Sequence, residues 1–358
     1  MNAPFPNPSM SLSSVDLADN RQFARIEAYV RELDGSIFHR PTWLRAVQMG
    51  CGHRATGLIA EKMGAIVGWL PLNEVHSHFF GRALVSSGFG VGGGVLSEDA
   101  SIAAALGEAA CEMARRTSCA SVELRGGDIP AGWDITSDSH ANFCADLVTD
   151  GPDADEAQLL AIPRKQRADV RKSLKSDLTI TTGSLMRDRQ AHYAVYAESV
   201  RNLGTPVFPK GLFDAMLAAF PNEADILTVW QGGAPISSVL SFYHAGTVMP
   251  FWGGGLFAAR GLKANERMYY ELMLHARARG MTRFDFGRSK TGSGPYRYKK
   301  NWGFEPESMT YGHWSADPAQ ARNVDPTDEA YARKIALWKK LPLPIANRLG
   351  PLIARGLA

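Results

Sequence analysis

The stretch DFGRSKTGSGPYRYKKNWGFEP, residues 285–306, carries the side chains best suited to chemistry in this sequence. Lys299 lies in a segment that Pro295, with Ser293 as a cap, predicts to be a helix. A fixed ammonium group stabilises the negative charge that acyl transfer builds on a carbonyl oxygen. Lys299 is therefore the first candidate catalytic residue; the alternative, a helix lysine that only meets solvent, stays open at this point.

Asp285 is the second candidate catalytic residue, because it lies near the end of a predicted strand between Phe284 and Phe286. Side chains alternate across a strand, so the two rings would share one face and the carboxylate would occupy the other. A carboxylate in that position could orient an attacking amine or accept its proton. An ion pair with Arg283 or Arg288 is the structural alternative, and Arg288 is also a candidate for substrate binding.

Aromatic side chains near these two residues could line a groove for a ligand. Trp252, in the motif FWGGG at residues 251–255, follows a predicted strand. Rings beside glycines at a strand end often line a groove, although packing in the core is the commoner role for an aromatic residue. The other aromatic candidates for substrate binding flank Lys299 on the predicted helix: Tyr296, Tyr298 and Trp302.

A run of basic residues follows Pro163, with cations at spacings of three and four residues that place them on one face of a helix. Most such runs are solvated helix faces. This one also suits a phosphate-bearing ligand, such as a nucleotide-linked precursor, a lipid diphosphate, CoA or the acceptor stem of a tRNA. The candidates for binding are Arg164, Lys165, Arg167 and Arg171, and Lys172 and Lys175 widen the basic face.

Residue spacing and composition exclude several other classes of protein. Ser293 stands where a nucleotide-binding GxxxxGK loop requires lysine, which disfavours hydrolysis of a nucleoside triphosphate. The four cysteines and nine histidines have no metal-ligand or disulfide spacing, so we expect no metal site. A net charge of +3 does not demand a nucleic-acid partner, and no apolar run is long enough for a transmembrane helix. We expect a cytoplasmic protein.

The elements that must position these residues recur along the chain. Residues 92–125 and 253–288 each begin with a glycine triplet, continue through a helix with 3.6-residue apolar spacing and end in a strand. A hairpin and two helical segments precede each copy, and this order is typical of α+β domains with a partly parallel sheet. We predict a disordered N-terminus at 1–19, domain 1 at 20–160, domain 2 at 161–316, and a C-terminal helical segment at 317–358 that returns to domain 1.

The duplicated order and the closing motif DFG…YRYKKNWGFEP resemble the FemAB-like peptidyltransferases, which are built from two fused GNAT-type acyltransferase domains. The resemblance covers about residues 20–320. The segments at 163–180 and 338–353 are similar to those of FemAB-like proteins associated with exosortase, PEP-CTERM and exopolysaccharide loci. The resemblance implies an α+β fold of tandem GNAT-like domains, with mixed sheets flanked by helices. It also implies that the lysine at position 299 faces the reaction centre.

The resemblance also implies a function: transfer of an acyl or aminoacyl group onto an amine or hydroxyl of a cell-envelope or exopolysaccharide precursor. The donor would be a co-substrate, either aminoacyl-tRNA or acyl-CoA, and the acceptor a saccharide or peptide precursor, small or lipid-linked. We expect direct attack by the acceptor, without a covalent enzyme intermediate. Only the second copy carries the YRYKKNWG motif, so we expect the first copy to bind or support and not to catalyse.

Two alternatives and a question of location stay open. The duplicated fold could be a non-catalytic binding module of a polysaccharide or protein export system, or an N-acetyltransferase that uses acyl-CoA. The segment AARGLKANERM lacks the [QR]-x-x-G-x-[GA] spacing of a CoA-binding GNAT loop, which puts acetyl-CoA in doubt. The tail after Glu329 is basic and amphipathic; we expect it to pack on domain 1, with peripheral contact to an anionic inner membrane as the alternative.

Overall fold

The computed structural model describes residues 10–77, 80–149, 151, 153–317 and 329–358, with side chains in the last range described from residue 335. These residues divide into two compact units. The first contains residues 10–137, 310–317 and 356–358, and the second contains residues 138–309 and 329–355.

The described residues contain fifteen strands and twelve α-helices. The strands are β1 (Ser11–Ser14), β2 (Arg54–Lys62), β3 (Ala65–Ser77), β4 (Gly81–Val85), β5 (Ser121–Arg125), β6 (Asp134–Thr136), β7 (His140–Asp146), β8 (Thr179–Gly183), β9 (Ala224–Gln231), β10 (Ala234–His244), β11 (Thr247–Gly255), β12 (Arg283–Asp285), β13 (Ser289–Lys290), β14 (Pro306–Ser308) and β15 (Tyr311–Ser315). The helices are α1 (Asn20–Glu32), α2 (Pro41–Cys51), α3 (Ala100–Arg116), α4 (Ala154–Ala161), α5 (Arg164–Leu174), α6 (Met186–Leu203), α7 (Lys210–Ala219), α8 (Phe257–Leu262), α9 (Ala264–Ala278), α10 (Gly294–Asn301), α11 (Glu329–Lys340) and α12 (Leu343–Ala354).

The first unit is built on a mixed sheet with the strand order β1-β2-β3-β4-β5-β15-β6. Its one parallel pair in the described residues is β4 with β5, and α3 makes the crossover between them. The α3 helix buries Ile102, Leu106 and Ala110, whose spacing of four residues places them on one face against the sheet. This face supplies much of the core of the first unit.

The second unit repeats this plan with the strand order β13-β7-β12-β11-β10-β9-β8. Here β11 and β12 are the parallel pair, and α9 crosses between them, burying Met268, Leu272 and Ala276 at four-residue spacing. The glycines at 232 and 233, both at positive φ, turn the β9–β10 hairpin. The prediction of two mixed α+β domains flanked by helices is confirmed.

The strand beside β5 or β12 in each sheet comes from an unexpected part of the chain. Strand β7, which the sequence analysis placed in domain 1, pairs antiparallel with β12, and β15 pairs antiparallel with β5. The observed units therefore differ from the boundaries drawn at 160 and 316. The physical reason is that an alternating strand pattern specifies which face is buried but not which sheet supplies the neighbour.

Both ends of the chain also differ from the sequence-based expectation. Ser11–Ser14 form β1, which pairs with β2, so the described part of the N-terminus is ordered into the first sheet; residues 1–9 of the predicted disordered segment lie outside the described residues. Helices α11 and α12 pack against α6 in the second unit, and Arg201 donates a hydrogen bond to the Lys339 carbonyl at 3.2 Å. Of the described part of the predicted segment 317–358, residue 317 and the last three residues, 356–358, belong to the first unit, whereas 329–355 belong to the second.

Strands β11 and β12 diverge soon after they begin. Their ladder consists of the pairs Thr247–Arg283 and Val248–Phe284, although β11 continues to Gly255. Beyond this point the chain after β12 stays with β7, because the Phe286 N–H donates to the Phe143 carbonyl at 2.7 Å. The later part of β11 therefore has no strand partner among the described residues on the side of β12. The loop that follows β12 begins at this divergence.

Candidate active site

Helix α10 begins where the sequence predicts. The Ser293 hydroxyl accepts a hydrogen bond from the Tyr296 N–H at 3.3 Å, and Pro295 occupies the first turn. This is the standard way to satisfy free N–H groups at a helix start. The preceding loop turns through Gly287 and Gly292, both at positive φ, and α10 then packs against β13.

The Lys299 side chain points inward from α10 and is only 8% exposed. Its Nζ donates to the carbonyl oxygens of Gly287 at 2.8 Å and Arg288 at 3.0 Å. The same nitrogen lies 5.4 Å from the ring centroids of both Phe143 and Phe286. Lys299 is therefore not the solvated lysine of the alternative interpretation.

Burial lowers the pKa of Lys299 from its ordinary 10.5 to about 8. The desolvation of the ammonium group is the main cause, opposed by the nearby Asp285 carboxylate and reinforced by Arg288. A lysine with such a pKa is mostly charged at neutral pH but close enough to its pKa to exchange a proton. This group can thus supply a cation and also take part in proton transfer.

Asp285 forms the other side of the same turn. Its Oδ1 accepts the Gly287 N–H at 2.8 Å, an arrangement in which an aspartate side chain closes a turn on the residue two positions later. The side chain is half-buried, whereas Phe284 and Phe286 are buried, as the alternation along the strand predicted. Asp285 is therefore a turn-forming residue whose carboxylate lies close to the Lys299 ammonium.

The sequence analysis missed two residues of this group, Phe143 and Cys144, because it did not assign β7 to this sheet. Cys144 stands opposite Asp285 in the β7–β12 pairing. Burial first, and then the Asp285 carboxylate, raise the pKa of the Cys144 thiol to about 12, so the thiol stays protonated. The alternating pattern HANFCAD at 140–146 was the available signal for a strand, but it did not identify the partner strand.

The aromatic side chains of α10, together with Trp302 just after it, pack against rings of neighbouring elements. Tyr296 packs edge-on against Phe143 at 5.2 Å, while the Tyr298 and Trp302 rings lie 6.3 Å apart and both face Tyr269. Within the described residues, neither the Tyr298 hydroxyl nor Trp302 Nε1 makes a hydrogen bond of normal geometry, although both atoms are buried. Burial raises the pKa of Tyr298 well above 10, so its hydroxyl remains a neutral donor.

Trp252 lies away from this group, in the core. Its ring is 5% exposed and packs edge-on against Phe213 at 5.1 Å and Phe251 at 4.9 Å. The packing of large rings against a helix on this face of β11 explains the burial. Trp252 thus takes the commoner of its two predicted roles, as a ring packed in the core.

The basic run forms α5, which packs on α9 through Gln166, Val170 and Ser173. Two of its cations already have partners: Arg167 donates to the Leu160 carbonyl at 3.0 Å, and Arg171 pairs with Glu156 at 3.0 Å.

Arg164 and Lys165, at the start of α5, are exposed. They follow Pro163, whose ring is so close to Gly303 that a Cβ at that glycine would lie 3.1 Å from it. Gly303 comes just after the end of α10. The beginning of the basic helix therefore lies beside the end of the helix that carries Lys299.

The first unit has a different arrangement at the equivalent position. Glu123, which corresponds to Asp285, accepts a hydrogen bond from Arg125 Nε at 2.7 Å, and Arg125 Nη1 donates to the Gly90 carbonyl at 2.8 Å. Arg125 is only 5% exposed, and a Cβ at Gly94 would lie 1.7 Å from the Gly126 carbonyl oxygen. The ends of β4 and β5 are thus closed by an ion pair and by close backbone contact.

A cavity of about 730 Å³ occupies another part of the second unit. Its walls include His275, Gly280 and Thr282, which precede β12, whereas Asp285 and Lys299 belong to the other end of that strand. We therefore do not place acyl transfer in this cavity. In the described part of the chain, no group of three or more His, Cys, Asp or Glu side chains could hold a metal ion.

Comparison with known proteins identifies the fold and the type of enzyme. Residues 164–300 match the family model Acetyltransferase (GNAT) domain. Among solved structures, FemX superposes with a TM-score of 0.61 at 13% identity, covering 84% of this chain and 96% of that one. The C-terminal domain of a putative lysylphosphatidylglycerol synthetase from Agrobacterium fabrum gives 0.55 at 12%, covering 84% and 94%.

A tandem GNAT protein from the clavulanic acid biosynthesis pathway gives a TM-score of 0.53 at 13% identity, covering 87% of this chain and 99% of that one. At these identities the structural similarities establish the fold alone. No curated protein sequence matches the chain at a significant level. The matched domain contains α5, α9, β12 and α10 up to Lys300. The chain has the tandem GNAT fold, its second unit matches the acetyltransferase (GNAT) domain model, and it is an acyltransferase.

Proposed function

We propose that the second unit transfers an acyl or aminoacyl group onto an amine or hydroxyl of a cell-envelope or exopolysaccharide precursor. The observation that carries the proposal is the buried Lys299 ammonium, held behind the loop that follows β12, where β11 and β12 diverge. A buried cation is costly to maintain, and active sites are where such groups concentrate.

Lys299 would stabilise the oxyanion. An ammonium group has three N–H donors, and Gly287 and Arg288 take two of them. The third is then available to the carbonyl oxygen of the donor as the acceptor attacks. Because the group is fixed by two hydrogen bonds and screened from water, it needs no rearrangement when the charge develops, which is the condition for a large effect on rate.

Asp285 would accept the proton that the acceptor loses. The new bond joins the acceptor nitrogen or oxygen to the donor carbonyl carbon, and the leaving group departs with the electron pair of the broken bond. The proton passes to the Asp285 carboxylate and then to the leaving group or to water. Direct attack is the simplest scheme, since the Cys144 thiol beside Asp285 has a raised pKa and stays protonated.

The donor would lie along β11. The described ladder between β11 and β12 ends at Val248, whereas β11 continues to Gly255, so an extended arm with amide groups could add beside β11 at this point. Acyl-CoA is the co-substrate of GNAT domains and aminoacyl-tRNA is the alternative donor. Both carry phosphates, which Arg164 and Lys165 at the start of α5 would bind.

The acceptor would be a saccharide or peptide precursor, small or lipid-linked. The name lysylphosphatidylglycerol synthetase, which one similar structure bears, denotes aminoacyl transfer to a lipid headgroup and supports an acceptor of this kind. A lipid-linked acceptor would place the reaction at the cytoplasmic surface of the inner membrane. The first unit would have a binding or supporting role and not a catalytic one, because an Arg125–Glu123 ion pair occupies the position equivalent to Asp285.

Transfer of a labelled group tests the proposal. Purified protein is incubated with labelled aminoacyl-tRNA or acyl-CoA and with candidate amine and hydroxyl acceptors, and the label on the acceptor is counted. We expect acceptor-dependent transfer that Lys299→Met slows by about a hundredfold or more. Binding of donor or acceptor without any transfer would instead favour the non-catalytic binding module. Transfer from acyl-CoA alone would identify an N-acetyltransferase of the ordinary kind.

A further inference from the structure

Helix α12 exposes a stripe of large apolar side chains. Ile345 is 48% exposed, Leu349 42% and Leu352 57%. Their spacing of four and three residues places all three on one face of the helix. Large aliphatic residues grouped on an exposed helix face mark a surface that something else covers.

The opposite face of α12 is the one that packs on the protein, and it is lined by small residues. Ala346, Gly350 and Ala354 are buried at four-residue spacing. A Cβ at Gly350 would lie 3.0 Å from Val207, so the helix approaches its neighbour closely. This is the reverse of an ordinary surface helix, which buries its large apolar residues and exposes its polar ones.

The charges around the stripe are all of one sign. Residues 335–355 contain four basic residues and no acidic residue. Arg348 lies between Ile345 and Leu349 on α12 and is exposed, as are Lys339 and Lys340 at the end of α11. Leu337, also on α11, is 67% exposed. The segment therefore offers apolar side chains for insertion and cations for anionic headgroups.

We propose that α12, with the end of α11, docks the second unit onto an anionic lipid bilayer. A helix with aliphatic residues on one face and flanking Lys and Arg lies in the interface between headgroups and acyl chains. Each cation near such a surface adds attraction to anionic lipids. In the part of the chain that the structure describes, no helix is long and apolar enough to cross a membrane, so the contact is peripheral.

The charge also argues against a second copy of the chain as the occupant. Two copies meeting through this face would bring Arg348 and its basic neighbours together, and like charges across an interface are repulsive. This docking would give a location to the acyl transfer proposed above, and it rests on that proposed function only for the reason why the protein would need a membrane. Lipid binding itself does not require catalysis.

Vesicle co-sedimentation tests the docking surface. The full chain is mixed with phosphatidylcholine vesicles with or without phosphatidylglycerol, and the bound fraction is measured at low and high salt. We expect binding to the anionic vesicles only, weakened by salt. The double variant Leu349→Gln, Leu352→Gln should lower that binding by at least about tenfold, because two of the apolar side chains that would insert among the lipids are lost.

Leu185→Gln is the matched control, because Leu185 is 77% exposed on the second unit but lies outside this face; its binding should equal that of the unchanged chain. Lys299→Met should also bind normally, which separates lipid docking from acyl transfer. Absence of binding by the unchanged chain, or equal binding by the double variant, would overturn the proposal. Self-association that the double variant abolishes, without vesicle binding, would overturn it in favour of a second copy.

Discussion

Asp285 and Lys299 hold one residue, Gly287, from its two ends. Asp285 Oδ1 accepts the Gly287 N–H at 2.8 Å, and Lys299 Nζ donates to the Gly287 carbonyl at 2.8 Å. The two candidate catalytic side chains are therefore linked through the backbone of a single turn. A change to either one alters the support of the other, so their effects on rate should be less than additive.

Replacing Lys299 with methionine should lower kcat by about a hundredfold or more, the usual cost of removing an oxyanion donor. Thermal stability should change little, because two terms oppose each other. Relief of the buried charge gains about 3 kcal/mol, and two unpaired carbonyl groups lose a similar amount in total. Steady-state kinetics and thermal unfolding measure both quantities. Lys300→Met is the control, since Lys300 is exposed; unchanged turnover in Lys299→Met would exclude Lys299 from the mechanism.

Replacing Asp285 with asparagine separates proton transfer from turn formation. The amide oxygen of asparagine can still accept the Gly287 N–H, but asparagine cannot accept a proton. If the carboxylate is the base, kcat should fall by about a hundredfold with normal stability. Activity near that of the unchanged chain in Asp285→Asn, together with loss in Asp285→Ala, would leave Asp285 with a positioning role only.

The lowered pKa of Lys299 predicts two pH effects. Activity that needs the ammonium group should decline as pH rises through about 8. Between about 8 and 10.5 the unfolded chain holds a proton on this lysine that the folded chain has lost, so folding should become more stable as pH rises across that window. Denaturant unfolding at both ends of the window, compared with Lys299→Met, measures the second effect; a parallel pH dependence in the two proteins would contradict it.

Gly287→Ala should reduce activity beyond its effect on stability. Gly287 has φ +74°, which costs a residue with a Cβ about 1–2 kcal/mol. Gly280→Ala is the matched control, since Gly280 has φ +79° in the same unit and, like Gly287, has open space where a Cβ would go. Both variants should be destabilised alike in chemical denaturation, and only Gly287→Ala should lose turnover. Equal turnover in the two would detach the turn from catalysis.

Charge reversal at Arg164 and Lys165 should raise the KM for a phosphate-bearing donor by about tenfold or more with little change in kcat, because these side chains would bind and not react. Lys175→Glu is the control at the other end of the helix, roughly 15 Å away. Initial rates over a range of donor concentrations, at low and high salt, give the result. An equal effect of Lys175→Glu would point to general electrostatic attraction instead of a site.

Local features of the sequence predict much of this structure. Helix α10 is predicted by the Ser293 cap, by Pro295 and by the aromatic and basic residues that follow them. The doubled glycine–helix–strand order predicts both parallel strand pairs. What could not be predicted depends on contacts between distant segments. The burial of Lys299 requires Phe143 from β7, and no pattern around either residue indicates that the two meet.

Trp252 illustrates the same limit from the other side. The motif FWGGG is compatible with a ring that lines a groove or with a ring in the core. Trp252 lies in the core because Phe213, from the distant helix α7, packs against it. The direction of the C-terminal helices is equally non-local, because α12 uses alanine and glycine to pack and shows its larger residues outward. A search for apolar periodicity alone orients such a helix the wrong way round.

The reciprocal placement of β7 and β15 constrains how the chain can fold during synthesis. The first sheet needs Tyr311–Ser315 between β5 and β6. A ribosome makes these residues only after the whole GNAT domain at 164–300 has been synthesised. The first sheet therefore lacks the strand between β5 and β6 until late in synthesis. The second sheet differs, because its strand β7 is synthesised before the rest of that sheet. Cutting the gene between the two repeats would leave each fragment with the other's strand, so neither half is an independent protein.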